Sequence, residues 1–257
     1  MRRPRHEIFL TFIVLLFLSI PLLIQAVNSR TPWVKPVVDD DTLLLTNGER
    51  VRPIGVLASF VYAQSKYPKT ISALQERYSD EIHGVQEYLA YAQKALSEGY
   101  PNIAYLFTAL AVAESVHASN FKKLLSDLGV QVKEIPKPEF KVSSTKGNLN
   151  YAATVEIEEI DHKYPRLIED IRPEKHEAAI QDITYAWKAE KQHLDLLKKV
   201  LSRTGIFFGE LAKKIEKTDV QFFVCQRWGS TLTELRRDMC PICKGPVAQY
   251  KEVERPN

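Results

Sequence analysis

The segments AESVHASNF (residues 113–121) and AEKQHLDLL (residues 189–197) each place a glutamate three residues before a histidine. Residues at i and i+3 lie on the same face of a helix, so each glutamate and its histidine point in one direction. The apolar residues around them recur at helical spacing, which puts both pairs on a stripe that faces a core. A carboxylate and an imidazole in an apolar core are costly unless they are paired or bind a metal. The two segments therefore predict metal-binding helices.

An acid on an earlier helix accompanies each pair. Glu81 precedes Glu114 by nearly the same number of residues as Glu156 precedes Glu190. The chain is therefore interpreted as an internal repeat in which each half supplies one Glu and one Glu-x-x-His. A single Glu-x-x-His usually belongs to a solvated helix face, but two of them with correctly phased acids match a carboxylate-bridged dinuclear iron or manganese centre.

Four long helices are predicted by the period of the hydrophobic pattern between about residues 70 and 203. Their expected ranges are 70–98, 102–128, 148–171 and 174–203. Gly99 and Gly129 are stop signals, and Pro165 falls inside the third helix. The linker Val130–Gly147 is long enough to be a crossover between antiparallel helix pairs. These features predict an all-α fold, a four-helix bundle over residues 70–205.

The N-terminal residues 1–29 combine a basic start with the uncharged stretch Ile8–Ala26. Its length lies between that of a signal peptide's apolar region and that of a membrane span. Two alternatives stand, cleavage after Ser29 or an uncleaved membrane anchor, and both place the body outside the cytoplasm, in the periplasm or on the outer face of the membrane. The net charge of +3 is concentrated in this segment, so the near-neutral body gives no electrostatic case for nucleic-acid binding.

Residues 30–69 are expected to form a linker with a short β-hairpin. The strand-like runs Thr42–Leu45 and Arg50–Val56 flank a Thr-Asn-Gly turn signal. This stretch also resembles the opening strands of thermonuclease-like domains. The helices begin too soon for such a barrel, however, and apolar Leu57 and Phe60 stand where acids are expected. We therefore predict a hairpin without nuclease activity.

Residues 218–254 form a separate tail that contains all the cysteines of the chain, Cys225, Cys240 and Cys243. An odd number of clustered cysteines with one C-x-x-C pair indicates a metal ribbon rather than a disulfide framework. Two alternatives remain open for the tail. The three thiolates bind one Zn or Fe together with a fourth ligand of another kind, or two of them form a disulfide outside the cytoplasm.

The chain resembles rubrerythrin over about residues 70–254. The resemblance is carried by EIHGVQEYLAYAQKALSEGY (residues 81–100), VEIEEIDHKYP (residues 155–165) and the two segments that open this section. It implies a ferritin-like bundle with a rubredoxin-like ribbon at its C-terminal end. The ligands implied for a centre of two iron ions, or of manganese, are Glu81, Glu114, His117, Glu156, Glu159, Glu190 and His193.

The resemblance also assigns roles within this set. It implies that Glu81 and Glu156 bridge the two ions, while each Glu-x-x-His supplies terminal ligands. Glu159 matches the additional glutamate that exchanges with a histidine when the redox state changes. The adjacent Glu158 is the alternative, but the i, i+3 spacing from Glu156 favours Glu159.

Catalytic roles are implied for three residues of the bundle. Tyr88 and Tyr164 match tyrosines whose hydroxyls hold ligand carboxylates and donate to bound peroxide, and Glu159 is the third. The tail departs from the family pattern, because a rubredoxin site needs four thiolates and Trp228 occupies the place of one of them. An indole N–H only donates, so Trp228 cannot ligate a metal.

The function implied by the resemblance is a non-haem di-iron oxidoreductase that reduces hydrogen peroxide and protects against oxidative stress. Such a protein is a homodimer or a larger assembly and takes electrons from a donor that the sequence does not identify. Two alternatives use the same ligands. One is a ferroxidase or a manganese catalase-like enzyme, and the other is a non-catalytic module for metal storage or sensing.

Overall fold

A computed structural model describes most of the chain, and its described residues are 35–39, 42–44, 50–51, 62–64, 66–132, 135, 139–204, 212, 216–217, 219–235 and 238–257. The chain divides into two compact units, Met1–Ser65 and Lys66–Asn257. The expected signal peptide or anchor lies outside the described residues. None of the helices in the described ranges combines the length and the apolar composition that crossing a membrane requires.

The first unit contains a small antiparallel sheet of strands β1 (Lys35–Asp39), β2 (Thr42–Leu44) and β3 (Arg50–Val51), in that spatial order. The pairing of β2 with β3 confirms the expected hairpin, although residues 52–56 of its second run lie outside the described residues. β1 was not expected from the sequence. It contains Pro36, and proline is tolerated in a sheet only where no ladder hydrogen bond is needed, as on this edge strand.

The first helix pair consists of α1 (Pro68–Ser97) and α2 (Pro101–Asp127). Gly99, at φ 80°, ends α1, because a left-handed residue lets the next N–H reach back to the carbonyl of Ala95 at 2.9 Å. Pro101 then starts α2 at a position where its missing N–H costs nothing. Both ends were predicted to within two residues, and the short turn makes the two helices antiparallel neighbours.

The third helix is interrupted where the ligands lie. It runs as α3 (Thr145–Glu158), one π-helical turn (Glu159–Lys163) and α4 (Tyr164–Ile171). Proline crowds the carbonyl four residues before it, and the wider π turn directly before Pro165 relieves this crowding without ending the helix. The start lies three residues earlier than expected, because Ser144 accepts a hydrogen bond from the N–H of Gly147 and caps the helix.

The fourth helix, α5 (Glu177–Thr204), follows a short 3-10 turn at Arg172–Glu174 and a left-handed Lys175. It starts three residues later than predicted, because Pro173 and the left-handed Lys175 break the helical path. The four helical segments enclose one apolar core, whose fully buried members include Tyr91, Phe107, Leu110, Phe121, Leu125 and Leu149. This arrangement confirms the all-α, ferritin-like four-helix bundle.

The tail forms a second small antiparallel sheet of β4 (Phe223–Cys225), β5 (Thr231–Leu232) and β6 (Tyr250–Glu252), with β4 in the centre. It packs on the bundle of the same chain. The Tyr105 hydroxyl of α2 donates to the carbonyl of Val253 at 2.6 Å. The short strands and their turns confirm the expected ribbon.

Candidate metal centre

Six of the predicted ligands meet in the middle of the bundle, and each is no more than 4% exposed. They are Glu81 on α1, Glu114 and His117 on α2, Glu156 on α3, and Glu190 and His193 on α5. The helical face that carries each ligand is otherwise largely apolar, so folding of the core brings these side chains together. Their sequence spacing predicted this meeting correctly.

The donor atoms of these residues form two groups, and within each group they lie within 4.8 Å of one another. One group is Glu81, Glu114, His117 and Glu190, and the other is Glu114, Glu156, Glu190 and His193. Glu114 and Glu190 belong to both groups, so these are the carboxylates placed to bridge two ions. The roles implied by the resemblance are therefore corrected, since Glu81 and Glu156 each serve one group only.

The bridging geometry is visible in the individual oxygens. Glu114 Oε2 lies 3.0 Å from His117 Nδ1, and its Oε1 lies 3.3 Å from His193 Nδ1. Glu190 directs Oε1 to His117 Nδ1 at 3.1 Å and Oε2 to His193 Nδ1 at 2.8 Å. Each of the two carboxylates thus gives one oxygen to each imidazole, and the site has two near-equivalent halves.

Burial makes this cluster electrostatically expensive. It raises the pKa of Glu81 and of Glu156 well above the usual value, and the charges of Glu114 and Glu190 add to the effect. Burial also raises the pKa of Glu114, but His193 and His117 outweigh it and hold that pKa below the ordinary range. Four carboxylates and two imidazoles in an apolar core require protons or metal cations to balance them.

The donor set fits a pair of metal ions. In the described part of the chain, Glu156 Oε2 is buried without a hydrogen-bond partner, and His193 Nδ1 meets no acceptor with hydrogen-bond geometry although Glu190 Oε2 lies 2.8 Å away. Nδ1 is also the imidazole atom that faces the carboxylates in both histidines. Carboxylate and imidazole donors suit iron and manganese, so the residues present match a dinuclear centre of these metals.

Two tyrosine hydroxyls hold the ligand carboxylates, as predicted. Tyr88 donates to Glu156 Oε1 at 2.6 Å, and Tyr164 donates to Glu81 Oε1 at 3.0 Å and to Glu190 Oε1 at 3.3 Å. Burial, reinforced by the neighbouring carboxylates, raises the pKa of both tyrosines well above 10. Both hydroxyls therefore keep their protons and act as donors to the ligands.

Glu159, the expected seventh ligand, belongs to neither group of donor atoms among the described residues. Its Oε1 lies 3.4 Å from Arg77 Nη1 and 3.4 Å from Lys163 Nζ. Burial raises its pKa to about 7 in spite of Arg77. The alternative, Glu158, has a side chain that is 60% exposed. Arg77 was missed from the sequence, although its position four residues before Glu81 puts it on the ligand face of α1.

A cavity of about 150 Å³ opens beside the centre. The ligands Glu81, Glu114 and Glu156 line it, and so does Tyr151, which is 53% exposed. The cavity therefore connects the carboxylates to the surface. Its volume admits a few water-sized molecules.

The three cysteines of the tail lie together as free thiols, with Sγ atoms within 4.8 Å of one another. A hydrogen bond from Cys225 lowers the pKa of Cys240 to about 4. Burial acts in the opposite direction, and hydrogen bonds from the Cys243 N–H and the Tyr250 hydroxyl lower the pKa further. The indole of Trp228 instead packs against Tyr185 of α5 with ring centres 4.8 Å apart. The pKa of Cys225 is raised by its hydrogen bond with Cys240 and by burial, and that of Cys243 is raised by burial. The cluster thus offers three sulfur ligands to a metal, and in this structure the three cysteines are free thiols.

The tail also covers the outer edges of the two imidazoles. Thr231 Oγ1 lies 3.5 Å from His193 Nε2. A Cβ atom on Gly229 would lie 2.2 Å from His117 Nε2, so only glycine allows the backbone to approach the ring this closely. Sequence reasoning missed both tail residues, because nothing local indicates which surface the tail covers.

Comparison with known proteins agrees with this geometry. The Rubrerythrin family model matches residues 72–201. Rubrerythrin-2 of Clostridium acetobutylicum is 27% identical over 179 residues, which is 69% of this chain and 93% of the relative. Nigerythrin of Nitratidesulfovibrio vulgaris is 30% identical over 179 residues, which is 69% of this chain and 83% of the relative.

The fold has a solved counterpart as well. A structure of nigerythrin in a mixed-valence state superposes with a TM-score of 0.60 at 26% identity, over 71% of this chain and 86% of that one. The family model spans just over half of the chain and contains the six glutamate and histidine ligands in the middle of the bundle. This chain therefore belongs to the rubrerythrin family, whose members bind a di-iron centre.

Proposed function

We propose that this chain is a non-haem di-iron oxidoreductase that reduces hydrogen peroxide to water. The observation that carries the proposal is the bridging geometry of Glu114 and Glu190, each with one oxygen directed at each imidazole. Two ferrous ions held by these carboxylates and imidazoles would supply the two electrons that cleavage of the O–O bond requires.

The residues around the centre support this reaction. The cavity of about 150 Å³ has room for a molecule of the size of peroxide. Tyr88 lines it and keeps its proton, so its hydroxyl donates to Glu156 Oε1 and holds that carboxylate beside the cavity. Reduction of peroxide to two waters consumes two protons. Glu159 also lines the cavity, and we assign it the transfer of protons from the surface.

The test is iron loading followed by peroxide addition. The full chain is loaded with Fe(II) without oxygen, and bound iron and the optical spectrum are measured before and after titration with hydrogen peroxide. We expect about two irons per chain and complete oxidation by about one peroxide per pair. The Glu114→Gln variant removes a bridging oxygen and should lose the paired loading. Fewer than one iron per chain, or bound iron that does not respond to peroxide, would overturn the proposal.

A second candidate is favoured by Trp228, which leaves the tail with three thiolates and so breaks the usual route for external electrons. A manganese catalase-like enzyme disproportionates peroxide and needs no reductant. Manganese-loaded chain that evolves oxygen from peroxide without a reductant would favour this reading. Peroxide consumption that requires a reductant would favour the peroxidase.

We also propose that the protein works outside the cytoplasm as a homodimer or larger assembly. The uncharged stretch Ile8–Ala26 behind a basic N-terminus supports export. Cell fractionation together with N-terminal sequencing distinguishes the cleaved form, which would begin near residue 30, from the anchored form. Cytoplasmic protein with an intact N-terminus would contradict export, and a monomer by light scattering would contradict the assembly.

A further inference from the structure

Arg77 is a fully buried cation beside the metal centre. It lies on α1 one turn before the ligand Glu81. Its Nη2 pairs with Asp80, and its Nη1 lies 3.4 Å from Glu159 Oε1. Its guanidinium lies 5.1 Å from the ring centre of Tyr164. Burial of a guanidinium, which stays charged, costs free energy that these anions offset.

Two cations hold the carboxylate of Glu159. Arg77 Nη1 and Lys163 Nζ both contact Oε1 at 3.4 Å. Arg77 is 0% exposed, whereas the Lys163 side chain is 40% exposed and is screened by solvent. Arg77 is therefore the stronger of the two partners. We call Arg77 and Lys163 together the cation clamp.

The cation clamp holds Glu159 next to the ligand groups but outside them. Glu159 lies one turn after the ligand Glu156 and lines the same cavity as Glu81 and Glu114. The cavity of about 150 Å³ leaves room for its carboxylate to turn toward the centre. A carboxylate in this place has two competing partners, the cation clamp and the bound metal.

The balance of charge decides between these partners. The four ligand carboxylates match the charge of two ferrous ions, and the charges of Glu159 and Asp80 are together matched by the cation clamp. With iron bound, loss of two electrons would leave the centre with excess positive charge, which would attract Glu159 away from Arg77. In the water-poor interior, such a change of charge is weakly screened and strongly felt.

We propose that Arg77 is a positioning residue that keeps Glu159 off the reduced centre and sets how readily Glu159 ligates the oxidised centre. This inference rests on the proposed function, because it presupposes a bound di-iron pair. Loss of Arg77 frees Glu159 to bind ferric iron. The oxidised form then becomes more stable, and the midpoint potential of the centre falls.

The test is a double-mutant cycle on the iron-loaded full chain, with the variants Arg77→Gln, Glu159→Gln and the two combined. Midpoint potentials are measured by optical redox titration, and bound iron is counted in each variant. We expect Arg77→Gln to shift the one-electron equilibrium at least tenfold toward the ferric form, which corresponds to 59 mV. In the Glu159→Gln background, the same change should have less than half that effect. Arg166→Gln, on a side chain that is 85% exposed, is the matched control and should shift nothing.

The cycle separates the two claims. Equal shifts of the midpoint potential in both backgrounds would show that Arg77 acts on the metal directly. No shift in either background would show that Arg77 has no effect on the centre. Either result overturns this inference and leaves the proposed function standing. A wild-type chain that binds no iron overturns both. If Arg77→Gln does not fold, Arg77→Lys replaces it, because lysine keeps the positive charge but lacks the forked guanidinium donors. The inference then requires that Arg77→Lys lowers the midpoint potential and that this shift disappears in the Glu159→Gln background.

Discussion

The Tyr164 hydroxyl connects a terminal ligand to a bridging one. It donates to Glu81 at 3.0 Å and to Glu190 at 3.3 Å, and the side chain is fully buried. Hydrogen bonds of this kind fix the orientation of ligand carboxylates, so the oxygens point to the metal before it binds. The binding of both ions should therefore depend on the Tyr164 hydroxyl, although this group is not itself a ligand.

We predict that Tyr164→Phe keeps the fold and weakens iron binding by roughly 10- to 100-fold, the usual effect of losing a hydrogen bond to a ligand. Affinity is measured by competition with a chelator. Tyr105→Phe is the matched control, because Tyr105 is also buried and donates to Val253 at 2.6 Å, away from the ligands. Equal affinities of the two variants would show that the Tyr164 hydroxyl does not orient the ligands.

Asp182 is a buried carboxyl on α5, 4% exposed, and burial raises its pKa from 3.8 to about 7 in spite of His117. Since the folded pKa lies above the unfolded one, the protonated form favours the fold. This contribution is complete below pH 3.8 and is lost as the pH rises to about 7. The metal-free chain should therefore lose stability over this range.

We predict that the stability of the Asp182→Asn variant does not fall in this way as the pH rises. Above pH 7, its free energy of unfolding should be higher than that of the wild type by more than about 1 kcal/mol. At about pH 4 the difference should be small or absent. Urea unfolding of the metal-free chains across this range measures it. Asp195→Asn, at an exposed position of the same helix, is the control. Parallel curves for wild type and Asp182→Asn would disprove the assignment.

The individual ligands were predictable because helical spacing alone places them on one face. The roles of the carboxylates were not, since Glu81 and Glu114 look alike in sequence and only the packing of α2 against α5 decides which of them reaches both imidazoles. The role of Arg77 could not be predicted, because it depends on a contact with Glu159, which lies far away in the chain. Its spacing from Glu81 was the only signal available.

The helix that carries Glu156 and Glu159 shows what local pattern cannot predict. Its hydrophobic period predicted one helix through Pro165, and the structure widens one turn into a π-helix at Glu159–Lys163. This turn adds a residue to the helical path after Glu159, where the N–H of Tyr164 bonds to the carbonyl of Glu159. The backbone from Glu156 to Glu159 stays α-helical, so the i, i+3 spacing holds there, yet Glu159 pairs with Arg77 and Lys163 beside the centre, and the sequence pattern did not indicate these partners.

The docking of the tail depends on the backbone at Gly229, which has φ 70° and lies against His117. We predict that Gly229→Ala displaces the tail, because the new Cβ would lie 2.2 Å from His117 Nε2. Gly99→Ala is the matched control, since Gly99 has φ 80° but no atom within 4 Å of a built Cβ. The control should cost about 1–2 kcal/mol for the left-handed backbone alone.

Limited proteolysis of the tail and urea unfolding measure the difference. Gly229→Ala should be cleaved faster in residues 219–257 than either the control or the wild type. It should also lose more stability than the control. Equal behaviour of the two alanine variants would mean that the tail does not press on the metal centre.

The ribbon keeps its three cysteines in place although Trp228 occupies the fourth position. We predict that Trp228→Cys completes a four-thiolate site and adds one bound iron per chain with a ferric–thiolate absorption. Trp228→Ala is the control, because it removes the same indole contact to Tyr185, worth about 0.5–1.5 kcal/mol, without adding a thiolate. If the Trp228→Cys variant binds no more iron than the Trp228→Ala variant, the four sulfur atoms cannot adopt the tetrahedral arrangement that an iron site needs.

The bundle holds its charged ligands at the expense of its own stability. The two helix pairs join through an apolar core, and the cluster at its centre replaces what would otherwise be apolar packing with four carboxylates. Without metal these groups must take up protons or repel one another, as the raised pKa values of Glu81 and Glu156 show. Folding and metal binding are therefore linked, because only the folded chain brings the ligands together.

We predict that two divalent ions raise the free energy of unfolding by about 5 kcal/mol when the free ion exceeds the dissociation constant of each site a hundredfold. Zinc serves as an ion without redox chemistry. Glu156→Gln is the informative variant, since it keeps the shape of a ligand that is 3% exposed but removes a charge that burial disfavours, as the raised pKa of this carboxyl indicates. Its metal-free form should be at least as stable as the metal-free wild type, yet metal should stabilise it far less. If zinc stabilised both chains equally, Glu156 would not be part of the site. If the metal-free variant were the less stable one, Glu156 would contribute to the fold itself, and the cost of the cluster would lie elsewhere in the core.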